Sequence, residues 1–530
     1  MSPRDLAGPE DCTALEAGSD SGGKVERNRA SLATGLTALY AILLGAANWR
    51  HELWYDEMQS WLIARDMRSV PDLMQILRFE GHPALWYLLL SIPAHLTWNP
   101  WPAKALTCLF AAAEVWLIFT APKLNWPVRI LAVSSIFIFY YLGTVARSYM
   151  LATLLLTAAV RCFLADRPRR KWAIAFLALA INTHILAIPV AFTIAMWGIC
   201  RKEQNRWRQQ PWRNFPNLWR DGELWLAIVV LCASVAFAYI TVRPVADHPD
   251  PWNSREHSFA FNAGITESRC WNAFLPITEN RLPDGILQWL AGGDGIPWGG
   301  CTFSLALVAL VVFALKSNEA RMFFIVALIL EIMALAATVR DPYPHHLSFI
   351  FDAFLFALMI GACNAGDKRG SWFSEAASST VILGILGIQA VGGVYASVSA
   401  WNHPHGQGKE IAVWLKQRGL DRNPLALDSD HALPVLGYLE RPSAYSTQCQ
   451  CFGSYVAWSG IHRDAGIISA DDLKRARANS PLPVIVIHAG QKLDPATTRK
   501  LDLVEILSFE SGGADWRDEE AYTVYEQEKV

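Results

Sequence analysis

The stretch Leu224–Val242 reads LWLAIVVLCASVAFAYITV and carries no charged side chain. A helix that crosses the hydrocarbon core of a bilayer, which is about 30 Å thick, needs roughly 20 apolar residues in a row. In lipid, only helices and closed barrels satisfy all backbone hydrogen bonds. The apolar residues of this stretch are continuous and do not alternate, which favours a helix over a barrel strand. We therefore predict a transmembrane helix here.

Comparable runs recur along the chain and predict about 11 spans by the same length rule. Hydrophobic residues make up 52% of the sequence and charged residues only 18%, whereas a soluble globular chain is nearer a quarter charged. Many of the 23 tryptophans flank these runs, as interfacial anchors do. The sequence therefore predicts a polytopic α-helical membrane protein, with spans at 31–48, 83–98, 103–121, 127–145, 149–165, 173–198, 223–243, 301–315, 321–339, 346–363 and 378–398.

The charge distribution predicts how these spans are oriented. Residues 1–30 are rich in Gly, Ser, Asp and Glu, which is typical of a disordered tail. Basic residues just before the first span place that tail in the cytoplasm by the positive-inside rule. With an odd number of spans, the membrane domain 31–399 leaves residues 400–530 outside, together with loops 49–82 and 244–300. We expect the protein to be integral to the plasma (inner) membrane.

One basic loop disagrees with this topology. Residues 167–171 read Arg-Pro-Arg-Arg-Lys but fall on the outer side in this count of spans. Either the rule is broken once, or the segment Ala173–Cys200 is two short helices that turn near Asn182–His184. The second alternative requires another miscounted span upstream, and the sequence leaves both open.

Residues 400–530 have the pattern of a soluble α/β domain. An amphipathic helix is predicted at Gly408–Arg418 and a second helix at Ala470–Ala478. Strands are predicted at Pro424–Asp428, Leu482–His488, Leu503–Phe509 and Ala521–Tyr525. Helices that alternate with strands indicate a small α/β domain, extracytoplasmic in this topology. A small acidic cluster at its start is expected to be solvated, and it consists of Asp428, Asp430 and His431.

Net charge and cysteine spacing exclude some functions. The net charge of −2 gives no reason to expect a nucleic-acid partner. The ten cysteines contain no CxxC pair that would indicate zinc or redox chemistry. Cys449 and Cys451 are too close in sequence for an easy unstrained bridge, whereas Cys270 and Cys301 could pair if their loop is external.

Carboxylates at both ends of the first external loop are candidates for chemistry. Asp56 and Glu57 follow the first span among aromatic residues, and Glu80 and His82 precede the next one. An acidic pair at this position suits a general base for an incoming hydroxyl or a ligand for a hard cation. A carboxylate and an imidazole two residues apart can share one divalent ion. Solvated surface is the competing interpretation of the same pattern.

Four motifs in order carry a resemblance to a known family. They are Trp54-Tyr55-Asp56-Glu57, Glu80-Gly81-His82-Pro83-Ala84-Leu85-Trp86-Tyr87, the segment Tyr140–Tyr149 ending in Ala-Arg-Ser-Tyr, and Asn182-Thr183-His184. Residues 31–200 resemble the C-type (GT-C) glycosyltransferase superfamily, which uses polyprenyl-phosphate sugar donors. The likeness is to family 39, which includes protein O-mannosyltransferases and aminoarabinose lipid A transferases. Ala84 stands where the family usually has a second proline.

This resemblance implies inverting transfer of a sugar from a polyprenyl phosphate to an acceptor (a glycan, lipid or protein) on the outer face. Asp56 would be the general base, and Glu57 would assist or orient it. Glu80 and His82 correspond to the place of a divalent metal ion or a phosphate-positioning group, and metal dependence varies within the family. The donor phosphate needs cationic or imidazole ligands, for which the candidates are Arg147, Arg340, His345 and His346.

Two other classes of function compete with this one. A transporter or flippase for a lipid-linked or small polar substrate often shows two related halves and broken helices at the midplane. No such repeat is visible here, and the charged motifs lie at the interface. A non-catalytic membrane assembly protein, with residues 400–530 as its binding part, would leave the ordered motifs without explanation.

Overall fold

The computed structural model describes residues 12–207, 222–243, 258–276, 290, 296–339, 342–364, 372–402, 406–456, 466–478, 480–509 and 521–527. These residues form a helical membrane region and a C-terminal domain built on one β-sheet. A polytopic helical protein with a C-terminal α/β domain was the predicted fold class, and the structure confirms it.

Fifteen helices make up the membrane region within the described residues. They are α1 (Cys12–Arg50), α2 (Tyr55–Asp66), α3 (Val70–Ile76), α4 (Leu85–Ala94), α5 (Trp101–Phe119), α6 (Trp126–Val133), α7 (Ser148–Leu164), α8 (Arg170–Ile181), α9 (Ala187–Trp207), α10 (Gly222–Val242), α11 (Phe259–Arg269), α12 (Trp298–Ala314), α13 (Asn318–Thr338), α14 (Ser348–Asn364) and α15 (Trp372–Asn402).

Six helical stretches are long and apolar enough to cross a membrane, and four shorter apolar helices accompany them. The six are Asn28–Arg50, Trp101–Phe119, Gly222–Val242, Asn318–Thr338, Pro344–Asn364 and Glu375–Asn402. The stretch Leu224–Val242 lies within one of them, as its composition predicts. Helix α1 begins at Cys12, so it extends upstream into the segment 1–30 that the composition predicts to be disordered.

The predicted span at 127–145 is wrong as a single helix. Helix α6 ends at Val133, and a π-helical turn follows at Ile136–Tyr141. The Oγ atom of Ser135 accepts a hydrogen bond from the backbone N–H of Ile138 at 3.2 Å. A serine side chain that bonds nearby backbone in this way offers the chain an alternative to a continuous helix. The segment that follows leads directly to Arg147.

The predicted span at 173–198 is two helices, α8 and α9, with a break near Asn182–His184, where the second alternative of the sequence analysis placed it. Polar side chains in the break take over backbone groups that a continuous helix would use. Asn182 and Thr183 donate to the carbonyl groups of Ala178 and Leu179 at 2.9 and 2.8 Å. His184 Nδ1 accepts from the backbone N–H of Leu186 at 3.1 Å, within the break and just before α9 begins.

The cysteines also differ from expectation. Cys449 and Cys451 form a disulfide, with their Cα atoms 5.2 Å apart, inside the usual range for a bridge. Gln450 between them has a φ of 53°, and this left-handed turn brings the two side chains together. Cys270 and Cys301 are both free and buried, so the pairing considered for them does not form.

The C-terminal domain contains a six-stranded sheet in the order β3-β2-β1-β4-β6-β5. Strand β1 runs parallel to both β2 and β4, and the remaining pairs are antiparallel. The elements are α16 (Gly408–Gln417), β1 (Leu425–Leu427), α17 (Leu433–Tyr438), β2 (Ala444–Ser446), β3 (Cys451–Gly453), α18 (Ala470–Arg477), β4 (Ile485–Ala489), α19 (Pro495–Lys500), β5 (Leu503–Phe509) and β6 (Tyr522–Gln527).

Helix α17 of this domain packs on helix α2 of the membrane region. Gly437 lies so close to Met58 that a Cβ atom at this glycine would clash with the methionine side chain. Beside this contact, the hydroxyl of Tyr438 accepts from the backbone N–H of Leu53 at 3.1 Å. The sheet domain therefore lies against the helix that carries Asp56.

Candidate active site

The first acidic motif begins a helix. Asp56 and Glu57 occupy the first turn of α2, where the helix dipole favours negative side chains. The Oε2 atom of Glu57 accepts from the backbone N–H of Trp54 at 2.8 Å and so caps the helix. The segment 49–82, predicted as a loop, thus holds its acidic pair on a regular helix, which fixes where each carboxylate points.

Glu57 is fully buried, with 0% of its surface exposed. Its Oε2 atom lies 2.9 Å from Nε2 of His51, and its Oε1 atom accepts from the backbone N–H of Ala146 at 2.5 Å. The carboxylate therefore ties the start of α2 to the residue just before Arg147.

Arg147 joins two motifs that are far apart in sequence. Its Nη1 atom forms an ion pair with Oδ2 of Asp56 at 2.6 Å. Its Nη2 atom lies 2.7 Å from Nε2 of His82. The guanidinium side chain is 11% exposed, whereas that of Asp56 is 40% exposed. The structure therefore brings Asp56, His82 and Arg147 together, and it leaves the aspartate accessible to a substrate.

Glu80 and His82 lie beside this ion pair, and burial shifts the pKa of each side chain in the direction that favours its uncharged form. Burial raises the pKa of Glu80 to about 7, although a hydrogen bond from Nε2 of Gln59 to its Oε1 atom at 2.7 Å opposes the shift. Burial, and next the charge of Arg147, lower the pKa of His82 to about 3. The imidazole is therefore neutral at pH 7. Since arginine only donates, Nε2 of His82 accepts its hydrogen bond.

Aromatic and imidazole rings form the wall next to Arg147. The ring of Tyr149 lies 4.2 Å from that of His184 and 5.5 Å from that of His345, measured between centroids. The rings of His345 and His346 are 4.3 Å apart. Both of these predicted phosphate ligands therefore lie near Arg147, whereas Arg340 lies outside the described residues.

A small cavity that is partly open to solvent lies at the ion pair. It is lined by Trp54, Asp56, Tyr141, Val145, Arg147, Tyr149 and His345. The sequence analysis did not single out the two tyrosines. Both belong to the segment Tyr140–Tyr149, so that motif carried the signal that could have identified them. The cavity combines an accessible carboxylate, a fixed cation and aromatic walls.

The predicted metal ligands each have one atom engaged by the protein. Gln59 donates to Glu80, and Arg147 donates to His82. Across the described residues, no group of three or more His, Cys, Asp or Glu side chains is placed to hold a metal ion. A magnesium ion usually keeps several waters and binds through one or two carboxylates and substrate phosphates. A divalent ion at these two residues would thus need the substrate or water for its remaining ligands.

The acidic cluster at the start of the C-terminal domain was expected to be solvated, and this prediction is wrong for Asp428. Asp428 is 0% exposed and its Oδ2 atom lies 2.6 Å from Nδ1 of His488. Burial raises the pKa of Asp428. The position at the carboxyl end of a central strand explains the burial, because β1 has neighbours on both sides. Nearby, the ring of His431 lies 4.1 Å from that of Tyr55, the residue before Asp56.

Comparison with solved structures bears on the fold. No protein-family model matches the chain, and no curated protein matches it. It is similar to ArnT from Cupriavidus metallidurans bound to undecaprenyl phosphate, with a TM-score of 0.52, 14% identity, and 93% of this chain and 98% of that chain covered. The apo state of the same ArnT gives a TM-score of 0.52 at 13% identity, with 94% and 98% covered. The chain thus shares the fold of this ArnT, and the GT-C-like fold class predicted from the sequence is confirmed.

Proposed function

We propose that this protein is an inverting membrane glycosyltransferase that moves a sugar from a polyprenyl-phosphate donor to an acceptor on the outer face of the membrane. One observation carries the proposal: Asp56, 40% exposed, and Arg147 lie 2.6 Å apart in one cavity. A base for the acceptor and a cation for the leaving phosphate are the two charges that this reaction needs. The similarity of the fold to an ArnT bound to undecaprenyl phosphate supports it.

The proposed donor site is centred on Arg147. A guanidinium has five N–H donors and matches phosphate geometry, and the contacts to Asp56 and His82 account for two of them. His345 lines the same cavity, and His346 lies beside it. Arg340 stays a predicted ligand. A divalent ion held by Glu80 and His82 would supply further positive charge to the phosphate.

The proposed reaction is a single displacement. The acceptor hydroxyl gives its proton to Asp56 as its oxygen forms a bond to the anomeric carbon. The bond from that carbon to the phosphate oxygen breaks, and its electron pair leaves with the polyprenyl phosphate. Arg147 stabilises the charge that develops on this phosphate. Because attack and departure occur on opposite faces, the anomeric configuration is inverted.

Glu57 has a positioning role in this proposal. It is fully buried and its carboxylate binds the backbone of Trp54 and Ala146. It therefore cannot contact the acceptor, but it holds the residues on either side of the reacting pair. In the proposed orientation, the N-terminus is cytoplasmic and residues 400–530 are extracytoplasmic in the inner membrane.

The experiment uses the purified protein in liposomes with a panel of polyprenyl-phosphate sugars and membranes of the source cells as acceptor. The expected result is a new glycosidic bond whose anomeric configuration, determined by NMR, is opposite to that of the donor. Retention of configuration would overturn the single displacement. Movement of an intact sugar or lipid across the liposome, without a new bond, would replace the proposal with the transporter alternative.

A further inference from the structure

The contacts around the candidate active site form a closed ring. Asp56 and Gln59 are three residues apart on α2 and so lie on one face of the helix. Asp56 pairs with Arg147, which donates to His82. Gln59 donates to Glu80, two residues before that histidine. The ring thus returns to the helix from which it started.

Gln59 also connects this ring to the C-terminal domain. Its Nε2 atom donates to the backbone carbonyl of Val456 at 2.9 Å, and its Oε1 atom accepts from the backbone N–H of the same residue at 2.9 Å. Val456 follows strand β3 of the sheet domain. Gln59 as a whole is only 5% exposed. Its two amide hydrogens and its oxygen therefore all have protein partners.

This pairing fixes which way the amide faces. Val456 presents one donor and one acceptor, so the oxygen of Gln59 must meet its N–H and the nitrogen its carbonyl. In that orientation the second amide hydrogen points to Oε1 of Glu80, 2.7 Å from the nitrogen. Without Val456, nothing in these contacts would prevent the amide from rotating and turning its oxygen towards the carboxylate.

We infer that Gln59 is a positioning residue through which the C-terminal sheet domain completes the active site. The backbone of Val456 orients the amide, and the amide holds the carboxyl of Glu80 in the ring that contains Asp56 and Arg147. The inference deepens the proposed glycosyl transfer and rests on it. It makes the sheet domain a part of the catalytic unit, since the geometry of the reacting pair depends on a backbone segment of that domain.

Two substitutions and a matched control test this inference. Gln59→Met keeps the length of the side chain but removes all three hydrogen bonds. Gln59→Glu keeps the shape but replaces the amide nitrogen by a carboxyl oxygen, so it loses the two amide hydrogens that bond Glu80 and the carbonyl of Val456. Tyr438→Phe is the control, because it removes one hydrogen bond of the same domain contact without touching the ring.

The readouts are kcat, the KM for a polyprenyl-phosphate sugar, and the melting temperature in detergent. Both Gln59 variants are expected to lower kcat at least about tenfold, since each loses at least two of the three hydrogen bonds that link Val456 to Glu80 through the amide. The KM is expected to stay within about twofold, because Arg147 still binds the phosphate. Tyr438→Phe is expected to keep the wild-type kcat. Wild-type kcat in Gln59→Met, or an equal loss in Tyr438→Phe, would overturn the inference.

A second measurement separates this inference from the proposed function. Hydrogen–deuterium exchange of the unliganded protein reports the segment 80–82 without any turnover. Faster exchange there in Gln59→Met than in Tyr438→Phe supports the coupling even if the wild type transfers no sugar, whereas equal exchange in the two variants refutes it. Absence of transfer by the wild type would instead refute the proposed function alone.

Discussion

Replacing Arg147 probes both the geometry of the site and its proposed ligand. The guanidinium contacts Asp56 at 2.6 Å and His82 at 2.7 Å. Arg147→Met removes the donors that would meet a phosphate, and one hydrogen bond to a charged group contributes about 1.5–3 kcal/mol. We therefore expect the Kd for undecaprenyl phosphate to rise about 10- to 150-fold. The pair with Asp56 adds little to this figure, because that carboxylate is well solvated.

Arg147→Lys tests whether the shape of the guanidinium matters beyond its charge. An ammonium group is a point charge and cannot hold two partners in the fixed geometry of a guanidinium. We expect a weaker effect on binding than in Arg147→Met, about tenfold or less by that argument, together with a loss of kcat because Asp56 and His82 are no longer held together.

The assay is equilibrium binding of radiolabelled undecaprenyl phosphate to the protein in nanodiscs. Arg170→Met is the matched control, since it removes an arginine whose partner, Glu223, is exposed and 3.4 Å away. Its affinity is expected to equal that of the wild type. If Arg147→Met binds as tightly as Arg170→Met, the assignment of Arg147 to the donor phosphate is refuted.

Three further predictions concern residues around the reacting pair. Glu57→Gln turns an amide N–H towards a backbone donor and leaves a buried N–H without an acceptor, so we expect a loss of about 1–3 kcal/mol in thermal stability, and an unchanged melting temperature would contradict the anchoring role. Gly81 has a φ of +70° with nothing within 4 Å of an added Cβ, so Gly81→Ala should cost about 1 kcal/mol of backbone strain and slow transfer, whereas full activity would show that the turn is not needed. Burial raises the pKa of Glu52 from 4.5 to about 7, so its contribution to stability is present below pH 4.5 and is lost as the pH rises through 7. Melting curves of Glu52→Gln should lack that part of the pH dependence, and curves parallel to those of the wild type would refute this.

Sequence patterns predicted helices and strands well where apolar residues repeat at the spacing of a helix or of a strand. The strand predicted at Leu503–Phe509 has those bounds in the structure, and the helix predicted at Gly408–Arg418 ends one residue earlier. The short strands β2 and β3 were not predicted, whereas β1, equally short, was. Their turn holds the Cys449–Cys451 disulfide, which depends on the positive φ of Gln450.

Continuous hydrophobicity concealed the breaks in the membrane region. The runs at 127–145 and 173–198 are as apolar as true spans, yet each is interrupted where a polar side chain bonds the backbone. Ser135 and Thr183 mark these breaks in the sequence, but hydropathy averaged over the length of a span does not reveal a single polar residue. These breaks shape the candidate site, because Arg147 follows the first one and the second one places His184 beside Tyr149.

The motifs indicated which residues belong to the site but not how they divide its roles. Asp56 and Glu57 are adjacent in sequence and chemically alike, and only the fold separates the accessible carboxylate from the buried one. The sequence analysis did not identify Gln59, because a glutamine three residues after Asp56 on a helix matches no catalytic or binding motif. Its importance follows from contacts with Glu80 and Val456, and the latter is distant in sequence.

The central claim is that Asp56 is the base in transfer from a polyprenyl-phosphate donor, and one rate comparison tests it most directly. Liposomes containing wild-type protein, Asp56→Asn or Asp66→Asn receive a polyprenyl-phosphate sugar labelled in the sugar, and the label that reaches the acceptor is counted. Asp66 lies on the same helix but pairs with Arg65, outside the site. A general base contributes about 10²- to 10⁴-fold, so Asp56→Asn should be slower by that factor while Asp66→Asn keeps the wild-type rate. Equal rates for all three proteins would contradict the account.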